Sequence, residues 1–234
     1  MEKEQKITKA ELARRKREEK LAAERERIEA LCEFEKEYDY CRYICGIDEA
    51  GRGPLAGPVV AGAVVLPKGC RILYINDSKK LSEKKREELY QIIIQEALAY
   101  QIEIIDVADV DRLNVYQASK KGMIDAIDHL SIRPDYALTD AMPLGDVIEH
   151  QAIVKGDAKS LSIGAASILA KVTRDHIMND YAKIYPEYGF EKHKGYPTKQ
   201  HKEALKAYGV TPIHRRSFQP VIEMLNQQLS LFDE

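Results

Sequence analysis

Gly46-Ile47-Asp48-Glu49-Ala50-Gly51-Arg52-Gly53-Pro54 carries two acids at the end of an apolar run and leads them straight into a tight turn. Ile44–Asp48 reads as a strand because it is β-branched and apolar, and Val59–Leu66 reads as a second for the same reason. An adjacent acidic pair says little alone, since about six are expected by chance at this acid content. Position at a strand end gives this pair its meaning. A dinucleotide-binding loop at Gly51-Arg52-Gly53…Gly57 is the rival reading, and it fails on context. Such a loop opens a helix, whereas here Pro54 and Pro58 precede a strand, and Asp48 and Glu49 would stand against an anionic pyrophosphate.

Outward from this stretch, strand-like and helix-like blocks alternate. Arg71–Ile75 reads as a third strand, and Ser82 caps a helix running to about Tyr100. Ile102–Val107 reads as a strand, Val115–Leu130 as a helix, and Tyr136–Thr139 as a short strand ending at Asp140. A strand at Ala152–Val154, a long helix over Ile163–Tyr185 and a shorter one over Thr198–Tyr208 complete the pattern. Strands first in hairpins and then alternating with helices imply an α/β protein with a mixed sheet covered by helices.

The 234 residues carry a formal charge of −2, with 44% hydrophobic and 32% charged side chains, which excludes a collagen-like or wholly disordered chain. No apolar run reaches the length of a membrane span, and the charged N-terminus has no signal core, so a cytoplasmic protein with no membrane contact is expected. Cys32, Cys41, Cys45 and Cys70 form no CxxC pair and read as buried thiols. Residues 1–40 hold 11 basic and 12 acidic side chains without Gly or Pro, a charged helical extension opened by the capping box Thr8-Lys9-Ala10-Glu11. Its apolar seam of Leu21, Ile28 and Leu31 is narrow, so a solvated arm is expected more than a binding element. Residues 41–218 form the main domain and 219–234 a helical tail.

Two further acids fall where strands end or helices begin: Asp140 after Tyr136-Ala137-Leu138-Thr139, and Asp157 in Val154-Lys155-Gly156-Asp157. Carboxylates at strand ends of one sheet can converge. Two unit charges about 4 Å apart repel by roughly 4 kcal/mol at an effective dielectric near 20. Convergence therefore implies divalent cations, and an all-oxygen donor set selects Mg²⁺ or Mn²⁺ over zinc. A pair of such ions suits phosphoryl chemistry. Asp175, inside the long helix, is expected to pair locally. Residues 190–216 add an excess of five positive charges, interleaved with Phe190, Tyr196 and Tyr208 and holding three of the six histidines. That composition suits a polyanion contact as well as it suits a solvated helix face.

These motifs together resemble ribonuclease HII, the bacterial type 2 ribonuclease H. The resemblance rests on Asp48-Glu49-Ala50-Gly51-Arg52-Gly53-Pro54-Leu55-Ala56-Gly57-Pro58, Asp77-Ser78-Lys79-Lys80-Leu81, Leu138-Thr139-Asp140 and Lys155-Gly156-Asp157. It continues through Ala165–Asp175 and His193-Lys194-Gly195-Tyr196-Pro197-Thr198, spanning roughly residues 44–218. It implies a ribonuclease H-like fold, a five-stranded mixed sheet flanked by helices. It implies hydrolysis of the RNA strand of RNA–DNA hybrids and incision 5′ to single ribonucleotides in duplex DNA, leaving 5′-phosphate and 3′-hydroxyl ends. By the same resemblance Asp48, Glu49, Asp140 and Asp157 are the catalytic and metal-binding acids of a two-metal site using Mn²⁺ or Mg²⁺. Gly51, Arg52 and Gly53 read the ribose, Tyr196 senses the junction, Lys79 contacts phosphate, and a monomer is expected.

Gln228-Leu229-Ser230-Leu231-Phe232 is similar to the pentapeptide that grips the bacterial sliding clamp, with Leu229, Leu231 and Phe232 filling an apolar pocket and Gln228 bonding its rim. Core-covering side chains are the plainer reading of the same five residues. A junction resolvase of the same fold would ignore the 2′-hydroxyl, and a non-catalytic adaptor would bind without metal.

Overall fold

A computed structural model describes residues 8–230, with side chains to residue 226. Helix α1 (Lys9–Leu31) opens on the expected capping box, Thr8 Oγ1 accepting the Glu11 amide at 3.2 Å. Its early turns are solvated, but its last turns dock. Ile28 and Leu31 are buried against Val64, Leu89 and Leu169. Burying such side chains contributes about 1.5–3 kcal/mol each. Glu29 pairs with Arg71 at 2.6 Å, and Arg27 donates to the Ile75 carbonyl at 2.6 Å. The seam at Ile28 and Leu31 thus joins the core, and the solvated-arm expectation holds only for the first turns. A short helix α2 (Glu33–Glu37) leads to the sheet.

The sheet has five strands: β1 (Ile44–Ala50), β2 (Val59–Val65), β3 (Ala99–Ile105), β4 (Tyr136–Asp140) and β5 (His150–Ile153), in spatial order β3-β2-β1-β4-β5. β1–β2 and β2–β3 pair antiparallel, whereas β1–β4 and β4–β5 pair parallel, the mixed arrangement expected from the sequence. β2 is buried along its whole length because helices cover both faces. Its side chains divide with the period of two that a strand imposes. Val59, Ala61, Ala63 and Val65 pack with Ala118, Met123 and Ala126 of α5 (Val115–Asp128). Val64 faces α3 (Glu83–Glu96) and the long α6 (Leu161–Ile184). Gly46 permits the close crossing of α6 over β1, since a Cβ there would lie 2.1 Å from the Ser162 carbonyl carbon.

Several boundaries differ from the sequence reading. Arg71–Ile75 is not a strand: Tyr74 has φ of 71° and its amide is held by Glu24, while β3 takes the place beside β2. The helix expected to reach Tyr100 stops at Glu96, and β3 starts at Ala99. Val107 begins helix α4 (Val107–Leu113), which the Asp106 carboxylate caps through the Asp109 amide. After α6 come α7 (Phe190–His193), α8 (Lys199–Tyr208) and α9 (Gln219–Ser230). Gln228 and Leu229 fall in α9 with side chains outside the described part, and Leu231 and Phe232 lie outside the described residues. Among the described residues no helix is long and apolar enough to cross a membrane. Cys32, Cys41 and Cys45 are buried free thiols, and Cys70 is half-buried.

Candidate active site

The parallel register of β1 and β4 pairs Ile47 with Thr139, so the next residues of each strand, Asp48 and Asp140, emerge side by side. The chain then passes through β5 into a 3₁₀ turn, Gly156–Ala158, which sets Asp157 just ahead of α6. The Gly156 amide donates to Asp140 Oδ1 at 2.7 Å and locks that turn onto β4. Carboxylate oxygens of Asp48, Asp140 and Asp157 lie within 4.8 Å of one another. Glu49 does not join this trio. Successive strand residues point to opposite faces, and Glu49 Oε1 instead meets Arg52 Nη1 at 3.5 Å. Its other oxygen, Oε2, is buried without a hydrogen-bond partner.

Burial, reinforced by Glu49 and Asp140, pushes the Asp48 carboxyl well above the usual carboxylate range. Burial is also the main cause of the upward shifts of Glu49 and Asp157, with Asp140 adding to each. The site therefore resists its own charge. Burial opposes the charge of Lys79 as well, but Asp157, Asp48 and Asp77 hold it above the ordinary lysine value. That lysine stands within electrostatic reach of both the acids and Tyr196. Ser167 favours the charged form of Asp48 against that shift, and its hydroxyl lies 3.0 Å from that of Ser78. An all-oxygen donor set that repels itself, beside an orphaned buried oxygen of Glu49, fits hard divalent cations.

The Gly51-Arg52-Gly53 loop continues directly from β1. Gly51 has φ of 99°, and a Cβ there would lie 2.2 Å from Arg174 Nε. Only glycine meets both conditions. Arg52 is half-exposed, so the guanidinium that meets Glu49 also faces solvent. Tyr196 is 39% exposed, and its ring would lie 3.5 Å from a Cβ placed on Gly53, so loop and ring form one surface.

Two arginines that the sequence reading does not assign to this loop hold it. Arg215 is fully buried and donates to the carbonyls of Gly51 at 2.6 Å, Arg52 at 3.0 Å and Gly57 at 2.8 Å. Arg174, 1% exposed, donates to the carbonyls of Ala56, Pro58 and Lys194. Arg215 had counted toward a cationic surface, yet it faces inward, and so do His193, His201 and His214. Lys192, Lys199, Lys202, Lys206 and Arg216 of the same stretch are exposed. The signal for an inward role is weak: a guanidinium directly after a histidine, in Ile213-His214-Arg215, follows the short stretch Val210-Thr211-Pro212. Asp175 pairs with Lys171 at 2.6 Å and Arg86 at 3.4 Å, the local role expected for it.

The sequence pattern of the ribonuclease HII family matches residues 45–221. The chain is 55% identical over 208 residues to ribonuclease HII of Bacillus licheniformis, covering 88% of this chain and 82% of that protein. Its fold is similar to ribonuclease H2 of Pyrococcus horikoshii, at 27% identity and a TM-score of 0.67, covering 79% of this chain and 98% of the other. It is also similar to the solved PCNA:RNase HII complex of Archaeoglobus fulgidus, at 25% identity and a TM-score of 0.62, covering 74% of this chain and 91% of that one.

Proposed function

The chain belongs to the ribonuclease HII family and is a ribonuclease H, and from that premise we propose that it also incises duplex DNA 5′ to a single embedded ribonucleotide, leaving 5′-phosphate and 3′-hydroxyl ends. The carrying observation is the carboxylate trio, within 4.8 Å, at the foot of the loop-and-tyrosine surface. In this reading Asp48, Glu49, Asp140 and Asp157 hold Mn²⁺ or Mg²⁺, Glu49 through its unpartnered oxygen. Bound there, divalent ions supply charge neutralisation and Lewis-acid polarisation at the scissile phosphate.

The chain's own groups select and orient the substrate. An A-form-like minor groove is wide and displays 2′-hydroxyls. Gly51 and Gly53 let backbone groups approach that hydroxyl closely, and Arg52 offsets phosphate charge without reading sequence. Tyr196 presents a flat ring to the neighbouring deoxyribose and a hydroxyl to its phosphate or sugar oxygens. Lys79, held positive by the acids around it, contacts a phosphate near the cut.

One assay tests this reading. A duplex with a single ribonucleotide is expected to be cut on its 5′ side in Mn²⁺ or Mg²⁺, while its all-DNA twin stays intact. Equal cleavage of both duplexes contradicts it. The tail, through Gln228, Leu229, Leu231 and Phe232, is proposed to grip the bacterial sliding clamp; a relative solved with PCNA supports the general mode. Deleting residues 228–234 is expected to abolish clamp co-elution and spare catalysis, and unchanged co-elution refutes the motif.

A further inference from the structure

His201 and His214 lie buried beneath the loop-and-tyrosine surface, with 0% and 1% of their surface exposed. Their hydrogen bonds leave one arrangement of protons. A carbonyl can only accept, so the 2.9 Å contact from His201 Nδ1 to the Tyr196 carbonyl places a proton on Nδ1. A backbone amide can only donate, so the 3.0 Å contact from the Thr211 amide makes His214 Nδ1 an acceptor, the Thr211 hydroxyl 2.7 Å away then donating to it as well, and puts the ring proton on Nε2. The two Nε2 atoms are 3.0 Å apart, and these assignments give that contact one donor, His214, and one acceptor, His201. The result is a directed chain from the Thr211 amide through His214 and His201 to the carbonyl of Tyr196.

That chain ends on the residue that faces the substrate. The Tyr196 carbonyl also accepts the Thr198 amide at 2.8 Å, and the Tyr196 amide donates to the His193 carbonyl at 2.9 Å. His193 is fixed in turn, accepting the Gly195 amide on Nδ1 at 3.2 Å and donating from Nε2 to the Tyr188 carbonyl at 2.8 Å. Its ring stacks on His201 with centroids 4.7 Å apart. Both peptide groups of Tyr196 are therefore tied to buried groups, while its ring remains 39% exposed beside Gly53. A core that needed only volume here would be filled by apolar side chains. Two imidazoles in opposite neutral tautomers instead supply direction.

We propose that His201 and His214 are positioning residues that set the backbone of Tyr196 against the Gly-Arg-Gly loop and so tune substrate recognition. This inference rests on the reading that Tyr196 contacts the nucleic acid. His201→Phe keeps an aromatic ring and removes the donor, whereas His201→Asn restores a donor near the place of Nδ1. His201→Phe is expected to raise KM on a single-ribonucleotide duplex about fivefold, the worth of one neutral hydrogen bond, with kcat unchanged. His201→Asn is expected to return KM to within about twofold of the parent on the same scale.

The decisive comparison adds Tyr196→Ala. With that ring gone, His201→Phe is expected to change KM no further. If Tyr196→Ala alone leaves KM unchanged, the substrate role of Tyr196 falls, and this inference with it. If Tyr196→Ala raises KM but His201→Phe raises it again by the same factor in the double variant, only the positioning role is overturned. A measurement on the unaltered protein stands beside these variants should one not fold. Long-range ¹H–¹⁵N imidazole spectra near neutral pH are expected to show His201 protonated on Nδ1 and His214 on Nε2, both neutral. Matching tautomers, or a charged ring in either, would overturn the chain.

Discussion

At the carboxylate end of the site, Asp48, Asp140 and Asp157 crowd together, and burial and repulsion act against the charge of Asp48 and Asp157. At the glycine-loop end, Arg174 and Arg215 are just as buried, but six backbone carbonyls receive their guanidinium groups. One end leaves its crowded charges to one another, and in the proposed reading divalent ions would complete it. The other is complete before any substrate arrives. Burial opposes charge at both ends, lowering Arg215 to about 9 with Arg174 adding to the shift, but the guanidinium donors meet carbonyl acceptors whereas the acids face one another.

The largest test of that contrast is Asp48→Asn. Its kcat/KM is expected to fall by about 10³-fold or more, as for loss of a group that acts at the reacting centre. Metal-free stability is expected to rise by about 1 kcal/mol, because a buried repelling charge is gone. Single-turnover cleavage and urea unfolding measure the two effects. A loss of stability in this variant would erase the difference between the ends. Arg215→Met is expected to do the reverse, lowering unfolding free energy by about 3 kcal/mol through several charge-assisted bonds. The same urea experiment checks it, and a loss below 0.5 kcal/mol on this scale would contradict the bracing role.

Acid separates the two ends further. Burial holds His201 down to about 4 and His214 down to about 3, so both stay neutral in the fold. An unfolded histidine takes its proton near pH 6.5. Their stabilisation is complete above that pH and is lost as pH falls toward those lowered values, by about 1.4 kcal/mol per pH unit for each ring. Asp48, Glu49 and Asp157 act with the opposite sign: shifted upward, they favour the fold at low pH and disfavour it as pH rises through their folded values. Urea unfolding of Asp48→Asn between pH 7 and 4 is expected to show a steeper acid loss than the parent. A parallel curve would show that the acids contribute no slope.

The chemistry-bearing residues were legible because strand ends and glycine turns leave local marks. Asp48 and Asp140 follow apolar runs, and the pairing of Ile47 with Thr139 does the rest. Glu49 reads as the fourth acid, and the alternation of a strand sets one of its oxygens against Arg52 while the other stays unpartnered. Arg215 reads as a surface cation because its burial leaves no local pattern: it depends on carbonyls 158 or more residues away along the chain, at Gly57, Arg52 and Gly51. Arg71–Ile75 looked like a strand for the converse reason. Its β-branched composition is local, whereas Glu24 and Arg27, which hold it as a turn, arrive from α1. The smallest expected effect lies there: Arg71→Ala removes a solvated pair with Glu29 and is expected to leave the urea unfolding midpoint close to the parent's.

Anomalous scattering from a crystal grown with manganese tests the convergence of acids most directly. The expected result is Mn²⁺ density ligated by Asp48, Asp140 and Asp157, with Glu49 Oε2 turned to meet it. Manganese absent from that cluster at saturating concentration, or bound only elsewhere on the surface, would contradict the account.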